Sequence, residues 1–239
     1  MQTQLLYLED SYLKEMDATI LAVKPLDQNK YQILLDQTVF YALGGGQPFD
    51  QGKLIGDNFV GSVIEVLLKD GEVWHYIKSQ QTPTKGMKIH GIIDWTRRYR
   101  WMRIHSAGHI IDFAIYALGY SPEKLKPIKA DHGKHPFILY EGAVEKDIQQ
   151  EVEDKANELV EKDLKFSWIF QPLEDLQKEA IYLQPGLPKD KPLRTLRLAT
   201  IGAVADGGTQ VHSTKEVGHI AITNIEQQLG NTIVHYQIL

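Results

Sequence analysis

The chain has no cysteine among its 239 residues. That absence excludes disulfides, thiolate metal ligation and a cysteine nucleophile together, so any metal must be held by nitrogen and oxygen. Long apolar runs are missing too, and none approaches the roughly 20 residues that a membrane-spanning helix needs. Nor is there an excess of positive charge: 26 Lys and Arg stand against 31 Asp and Glu, for a formal net charge of −5. That balance does not point to a broadly cationic surface of the kind that displaces counterions from nucleic-acid phosphates, while it leaves room for a small local footprint. The stretch MQTQLLYLEDSYLKEMDA acquires acidic residues early and predicts no secretory leader. The expected address is the cytoplasm, with no membrane and no DNA partner.

What is present is enough for a full core, since 43% of the residues are hydrophobic and 24% charged. From 17 to 93 the chain reads as short β runs (ATILAV, KYQILL, GSVIEVLL, EVWHYI, KIHGIID) separated by Gly, Asn and Asp turns, the pattern of an antiparallel barrel. At Asp94 the character changes. Asp94 can cap a helix running from Trp95 to about Leu118 and ending near Gly119. Farther on, 146–162 carries the amphipathic stripe Ile148, Val152, Ala156, Leu159 and Val160. Pro172 is placed to open a further helix, PLEDLQKEA. KFSWIF, LRTLRLATI, VGHIAITNI and NTIVHYQIL read as strands, and QPGLPKDKPL as a Pro-rich loop. The pattern predicts an α+β protein: an N-terminal β-barrel domain, 1–93, followed by an α/β domain, 94–239, with helices on an antiparallel-rich sheet.

The stretch DWTRRYRWMRIHSAGHIIDFAI sets His105 and His109 at i and i+4 on one helix face, a spacing that suits two imidazoles sharing a cation. With nine histidines in the chain, that spacing taken alone favours a structural pair. Ser106 stands where a His-Glu-x-x-His protease helix has its general base, which argues against a peptidase. In ADGGTQVHSTKEVGHI, 205–220, Asp206 and Gln210 lie four apart around Gly207 and Gly208, a turn that a substrate can approach closely. Asp206 is a competent oxygen ligand for zinc, and also for iron or manganese; with two histidines it leaves positions open for water. Gln210 offers only a neutral amide, better suited to bonding a substrate or a bound water. His212 could substitute as a ligand, although an exposed strand histidine is favoured.

Arg97, Arg98, Arg100 and Arg103 form either a basic patch beside the histidines or a solvated helix face. The run Gly44, Gly45, Gly46, Gln47 has no helix behind it, which excludes a nucleotide-phosphate loop and leaves a bulged hairpin or a close backbone approach to a ligand. Asp131, His132 and His135 read as an ordinary polar loop, and Lys215 and Glu216 as structural.

FYALGGGQPFDQG at 40–52, the His-x-x-x-His helix opened by DWTRRYRWMR, and GGTQVHSTKEVGHI follow one another in the order seen in a known family. The chain resembles the freestanding alanyl-tRNA editing proteins (AlaX) and the editing half of alanyl-tRNA synthetase over nearly its whole length. That family's zinc site pairs His-x-x-x-His with Cys-x-x-x-His, and the second pair falls here on Asp206 and Gln210. The resemblance implies a Zn2+ site at His105, His109 and Asp206; Gln210 falls on the family's remaining ligand position, but its neutral amide suits a catalytic contact to substrate or water better than ligation. It also implies that Gln47 and the glycine loop border the editing pocket, that Thr38 can recognise a serine hydroxyl, and that His132 is an outside candidate for metal or substrate contact. The implied activity is ATP-independent hydrolysis of the ester joining serine or glycine to the acceptor end of alanine tRNA. Two alternatives stand beside it: a catalytically altered tRNA-binding module, and a metal-dependent hydrolase of small esters or amides.

Overall fold

The computed structural model describes residues 3–144 and 147–239, and the chain divides into two compact units, Met1–Arg100 and Trp101–Leu239. The first unit is a closed barrel of six antiparallel strands: β1 (Glu15–Pro25), β2 (Lys30–Leu35), β3 (Gly52–Gly56), β4 (Phe59–Lys69), β5 (Glu72–Lys78) and β6 (Lys88–Ile93), joined in the order β1-β2-β5-β4-β3-β6. Closure follows from the period-two pattern. Met16, Ala18 and Ile20 of β1 point inward with Ile33, Leu35, Leu54, Val66 and Ile77, while Asp17 and Thr19 between them on β1 turn outward. The hairpin from β4 to β5 turns on Asp70 and Gly71 (φ 51° and 78°), the left-handed pair that matches strand twist. Gly52 permits a close strand approach, since a Cβ there would lie 2.1 Å from the Ile92 carbonyl oxygen.

Helix α1 (Trp95–Ala117) starts as its sequence predicts: Asp94 Oδ1 accepts the Arg97 N–H at 3.0 Å, and Gly119 follows the last turn at φ 78°. Arg98 points into the barrel unit. It is fully buried, its Nε 2.9 Å from Asp50 Oδ2, with further bonds to the Ser11 and Val39 carbonyls. It is therefore a structural ion pair, not part of a basic patch.

The second unit holds a four-stranded antiparallel sheet of β7 (Lys126–Asp131), β8 (Phe137–Glu141), β12 (Ile220–Gln228) and β13 (Asn231–Ile238), ordered β12-β13-β8-β7. It also holds a three-stranded sheet of β9 (Phe166–Gln171), β10 (Leu193–Leu198) and β11 (Gly202–Ala205), with β10 central. Helix α2 (Gln149–Glu161) buries Val152, Ala156, Leu159 and Val160; the start predicted at position 146 lies outside the described residues. Its polar row, Gln149, Glu153 and Asn157, hydrogen-bonds the backbone of Ile220 and Ile222, which satisfies the outer edge of β12. The helix expected over PLEDLQKEA is a single turn, Leu173–Leu176. It stops because the backbone beyond it is recruited by β11: Ile181 N–H bonds Ala203 O, and Ala203 N–H bonds Glu179 O. Among the described residues no helix is long and apolar enough to cross a membrane.

Candidate metal centre

His105 and His109 lie on the buried face of α1, with ring centroids 4.8 Å apart. Asp206 follows β11, where its backbone N–H bonds the Arg194 carbonyl and its Oδ1 accepts the Gly208 N–H at 3.0 Å. This glycine turn brings one carboxylate oxygen, Oδ1, to 3.4 Å from Nε2 of both histidines. One donor atom from each of the three residues lies within 4.8 Å of the other two.

The other carboxylate oxygen, Oδ2, is held from behind by Arg194 Nη1 at 2.9 Å and by Gln210 Nε2 at 3.1 Å. Gln210 is fully buried and turns its amide nitrogen toward Asp206 and His105 Nδ1 (3.3 Å), while its oxygen accepts the Ser106 hydroxyl at 2.6 Å. The Ser106 oxygen in turn accepts the Val211 N–H at 3.1 Å. Gln210 thus turns its amide nitrogen to the centre and keeps its oxygen on the Ser106 hydroxyl. His132 is also brought in. Its ring lies 4.5 Å from that of His105 and its Nδ1 2.5 Å from the Tyr236 hydroxyl, over Gly108, where a Cβ would meet the imidazole at 2.5 Å.

The electrostatics suit a cation. Burial would lift the Asp206 pKa, but the two histidines and Arg194 hold it well below the usual carboxylate range. Burial drives His105 down to about 3, and His132 well below the usual imidazole value. For His109 burial is outweighed by Asp206 and Asp112, and its pKa is raised. Neither ring nitrogen of His109 has a hydrogen bond of normal geometry among the described residues. An orphaned buried imidazole, beside a second imidazole and an anionic oxygen, fits a divalent cation.

The remaining sequence candidates are placed as follows. His212 is exposed and stacks on Trp168 at an interplanar angle of 11°. Glu216 caps the turn at Ser213 and bonds the His212 N–H, so it is structural as expected. Asp131 and His135 are exposed. In the first unit Thr38 and Gln47 are both fully buried. The Thr38 oxygen accepts the Phe40 N–H at 3.0 Å and lies 2.8 Å from His75 Nε2, a ring that burial brings to a pKa of about 4. Gln47 closes the glycine turn through a 2.9 Å bond from its N–H to Gly44 O, with Gly45 and Gly46 at positive φ. Arg194 and Asp112 were not foreseen. Arg194 reads as solvent-facing by its charge alone, although it shares strand parity with the buried Leu196 and Leu198; Asp112 does carry a signal, standing three residues after His109 on the same helix face.

The family model for class II (A) tRNA synthetases matches residues 9–97. The alanyl-tRNA editing protein AlaX-M of Saccharolobus solfataricus is 34% identical over 242 residues, covering 99% of this chain and 99% of that protein. The chain belongs to the AlaX family of alanyl-tRNA editing proteins. Another relative, AlaX-L of Pyrococcus horikoshii, is 31% identical over 94% of this chain and 55% of its own length. The alanine–tRNA ligase of Halobacterium salinarum is 32% identical over 95% of this chain, which spans 25% of that enzyme. Within the AlaX family this chain thus carries its candidate centre on His105, His109 and Asp206 without any cysteine.

Proposed function

We propose that this protein is a cytoplasmic trans-editing deacylase that hydrolyses Ser-tRNA(Ala) or Gly-tRNA(Ala) at the acceptor end without ATP. The observation that carries the reading is the convergence of two imidazole Nε2 atoms on one carboxylate oxygen, each at 3.4 Å, in a chain related over its full length to alanyl-tRNA editing proteins. The reaction is acyl transfer to water: water attacks the ester carbonyl, an oxyanion forms, and its collapse releases the ribose hydroxyl and the free amino acid.

His105, His109 and Asp206 would hold the metal, for which Zn2+ is the proposed identity. When bound, it would supply Lewis-acid polarisation or a water of lowered pKa. Arg194 and Gln210 fix the carboxylate so that Oδ1 faces the histidines. Ser106 fixes Gln210 in turn, leaving its N–H to donate to Asp206 Oδ2. For Gln47 we propose a donor role toward the developing oxyanion, and for Thr38 the reading of a serine hydroxyl through the remaining lone pair on its oxygen.

Arg194 favours a second reading. A buried guanidinium already compensates Asp206, so the centre can persist without a metal and the protein could serve as a tRNA-binding module. Elemental analysis of protein purified without chelator, together with deacylation assays on Ser-, Gly- and Ala-charged alanine tRNA and on a small amino-acid ester, separates the readings. Metal with tRNA deacylation supports editing. Tight tRNA binding with neither metal nor turnover supports the module, and cleavage of the small ester alone supports a small-ester hydrolase.

A further inference from the structure

Asp112 is a buried carboxylate with no lysine or arginine partner among the described residues. It sits one helical turn after His109, and its Oδ2 lies 3.8 Å from His109 Nδ1, on the side of the ring opposite the nitrogen that faces Asp206. Two buried hydroxyls hold it: Tyr140 of β8 donates to Oδ1 at 2.6 Å, and Tyr182 donates to Oδ2 at 3.0 Å. Burying a carboxylate away from any cation costs several kcal/mol unless a function or a partner offsets it. The two metal-facing histidines also differ in support. His105 has a backbone hydrogen bond with Thr209 and the Gln210 amide beside its Nδ1, whereas neither nitrogen of His109 has a hydrogen bond of normal geometry among the described residues.

We infer that Asp112 is the positioning residue of the centre: it fixes the His109 tautomer with the proton on Nδ1 and supplies the negative charge that Arg194 cancels on Asp206. The charge count leads there. Asp206 and Arg194 form a buried pair of zero net charge, so a divalent cation held by two neutral imidazoles and that pair would remain uncompensated without a second carboxylate. Asp112 is placed to provide it through His109, as carboxylates behind metal-bound histidines do. The tyrosines keep the carboxylate turned toward the ring.

The inference rests on the metal reading proposed above, and the test separates the two. Zinc affinity is measured by competition with a chromophoric chelator, and the cobalt-substituted visible spectrum is recorded, for wild type, Asp112→Asn, Tyr182→Phe and His109→Ala. Thermal unfolding of the metal-free proteins is followed in parallel. Asp112→Asn is expected to weaken zinc binding about 10- to 100-fold and to shift the cobalt spectrum, while the metal-free protein keeps its melting temperature or gains a little. Tyr182→Phe is expected to weaken binding less, in the same direction, and serves as the working variant should Asp112→Asn not fold. A merely structural Asp112 would give the reverse, a lower melting temperature with unchanged zinc affinity and cobalt spectrum, and would overturn the inference while leaving the metal reading intact. Wild-type protein that binds neither zinc nor cobalt would overturn both.

Discussion

Asp206 divides its carboxylate between two tasks: Oδ1 stands 3.4 Å from Nε2 of both His105 and His109, and Oδ2 accepts hydrogen bonds from Arg194 at 2.9 Å and Gln210 at 3.1 Å. The division predicts unequal losses. About one divalent ion per chain should bind, Asp206→Ala should abolish binding, and Gln210→Ala should retain most of it, because an anionic oxygen contributes far more than an amide whose oxygen is already bonded to Ser106. Isothermal titration with zinc checks the ranking. Equal losses for the two variants would show that Gln210 ligates.

The proton that competes with the metal should belong to His109. Its pKa is raised, whereas burial takes His105 to about 3, so His105 is already neutral throughout the neutral and mildly acidic range. Metal binding requires a neutral imidazole. As the pH falls through the raised His109 value, zinc affinity should therefore drop about tenfold per unit, with one proton released per ion bound. Titrations in buffers of different ionisation enthalpy report that proton. A slope of two protons, or none, would contradict the assignment.

Much of the fold was legible because it is written locally. Asp94 and Gly119 bracket α1, the period-two alternation marks β1, and the i,i+4 histidines name the candidate centre once the family resemblance joins them to Asp206. What escaped was set by distant partners. Arg98 reads as surface charge until Asp50, 48 residues away, is brought against it. Asp112 reads as a helix polar residue until Tyr140 and Tyr182, 28 and 70 residues away, enclose it. PLEDLQKEA has the composition of a helix, yet β11 claims the backbone groups that would have continued it.

The burial of Arg98 makes a stability prediction that a surface arginine would not. Arg98→Ala leaves Asp50 charged, buried and stripped of its cation, at a cost of about 3–5 kcal/mol. Arg97→Ala removes a half-buried contact over the Phe49 ring and a hydrogen bond to the Phe49 carbonyl, and should cost about 1–2 kcal/mol. Urea unfolding of the two variants compares them. Similar small effects for both would mean that Arg98 is not the structural pair described above.

The last prediction concerns substrate choice. Discrimination between a methyl and a slightly different apolar group is worth only about 1–3 kcal/mol, so a site that spares alanine must use polar groups that a serine hydroxyl satisfies and an alanine methyl does not. Thr38 is our candidate. Its oxygen accepts the Phe40 N–H; with the His75 proton engaged by the Ile33 backbone, Nε2 accepts the Thr38 hydroxyl, which leaves one lone pair on that oxygen for an incoming hydroxyl. Thr38→Val should therefore narrow the preference of kcat/KM for Ser-tRNA(Ala) over Ala-tRNA(Ala) more than it lowers overall turnover. It should also cost about 1–3 kcal/mol in unfolding free energy, because His75 Nε2 loses its partner in a fully buried position. Gln47→Ala, by contrast, should slow hydrolysis of both substrates alike. Single-turnover deacylation on the two charged tRNAs decides the matter. If Thr38→Val lowered both rates in proportion, Thr38 would be left as a support for His75 and serine would have to be read by another group.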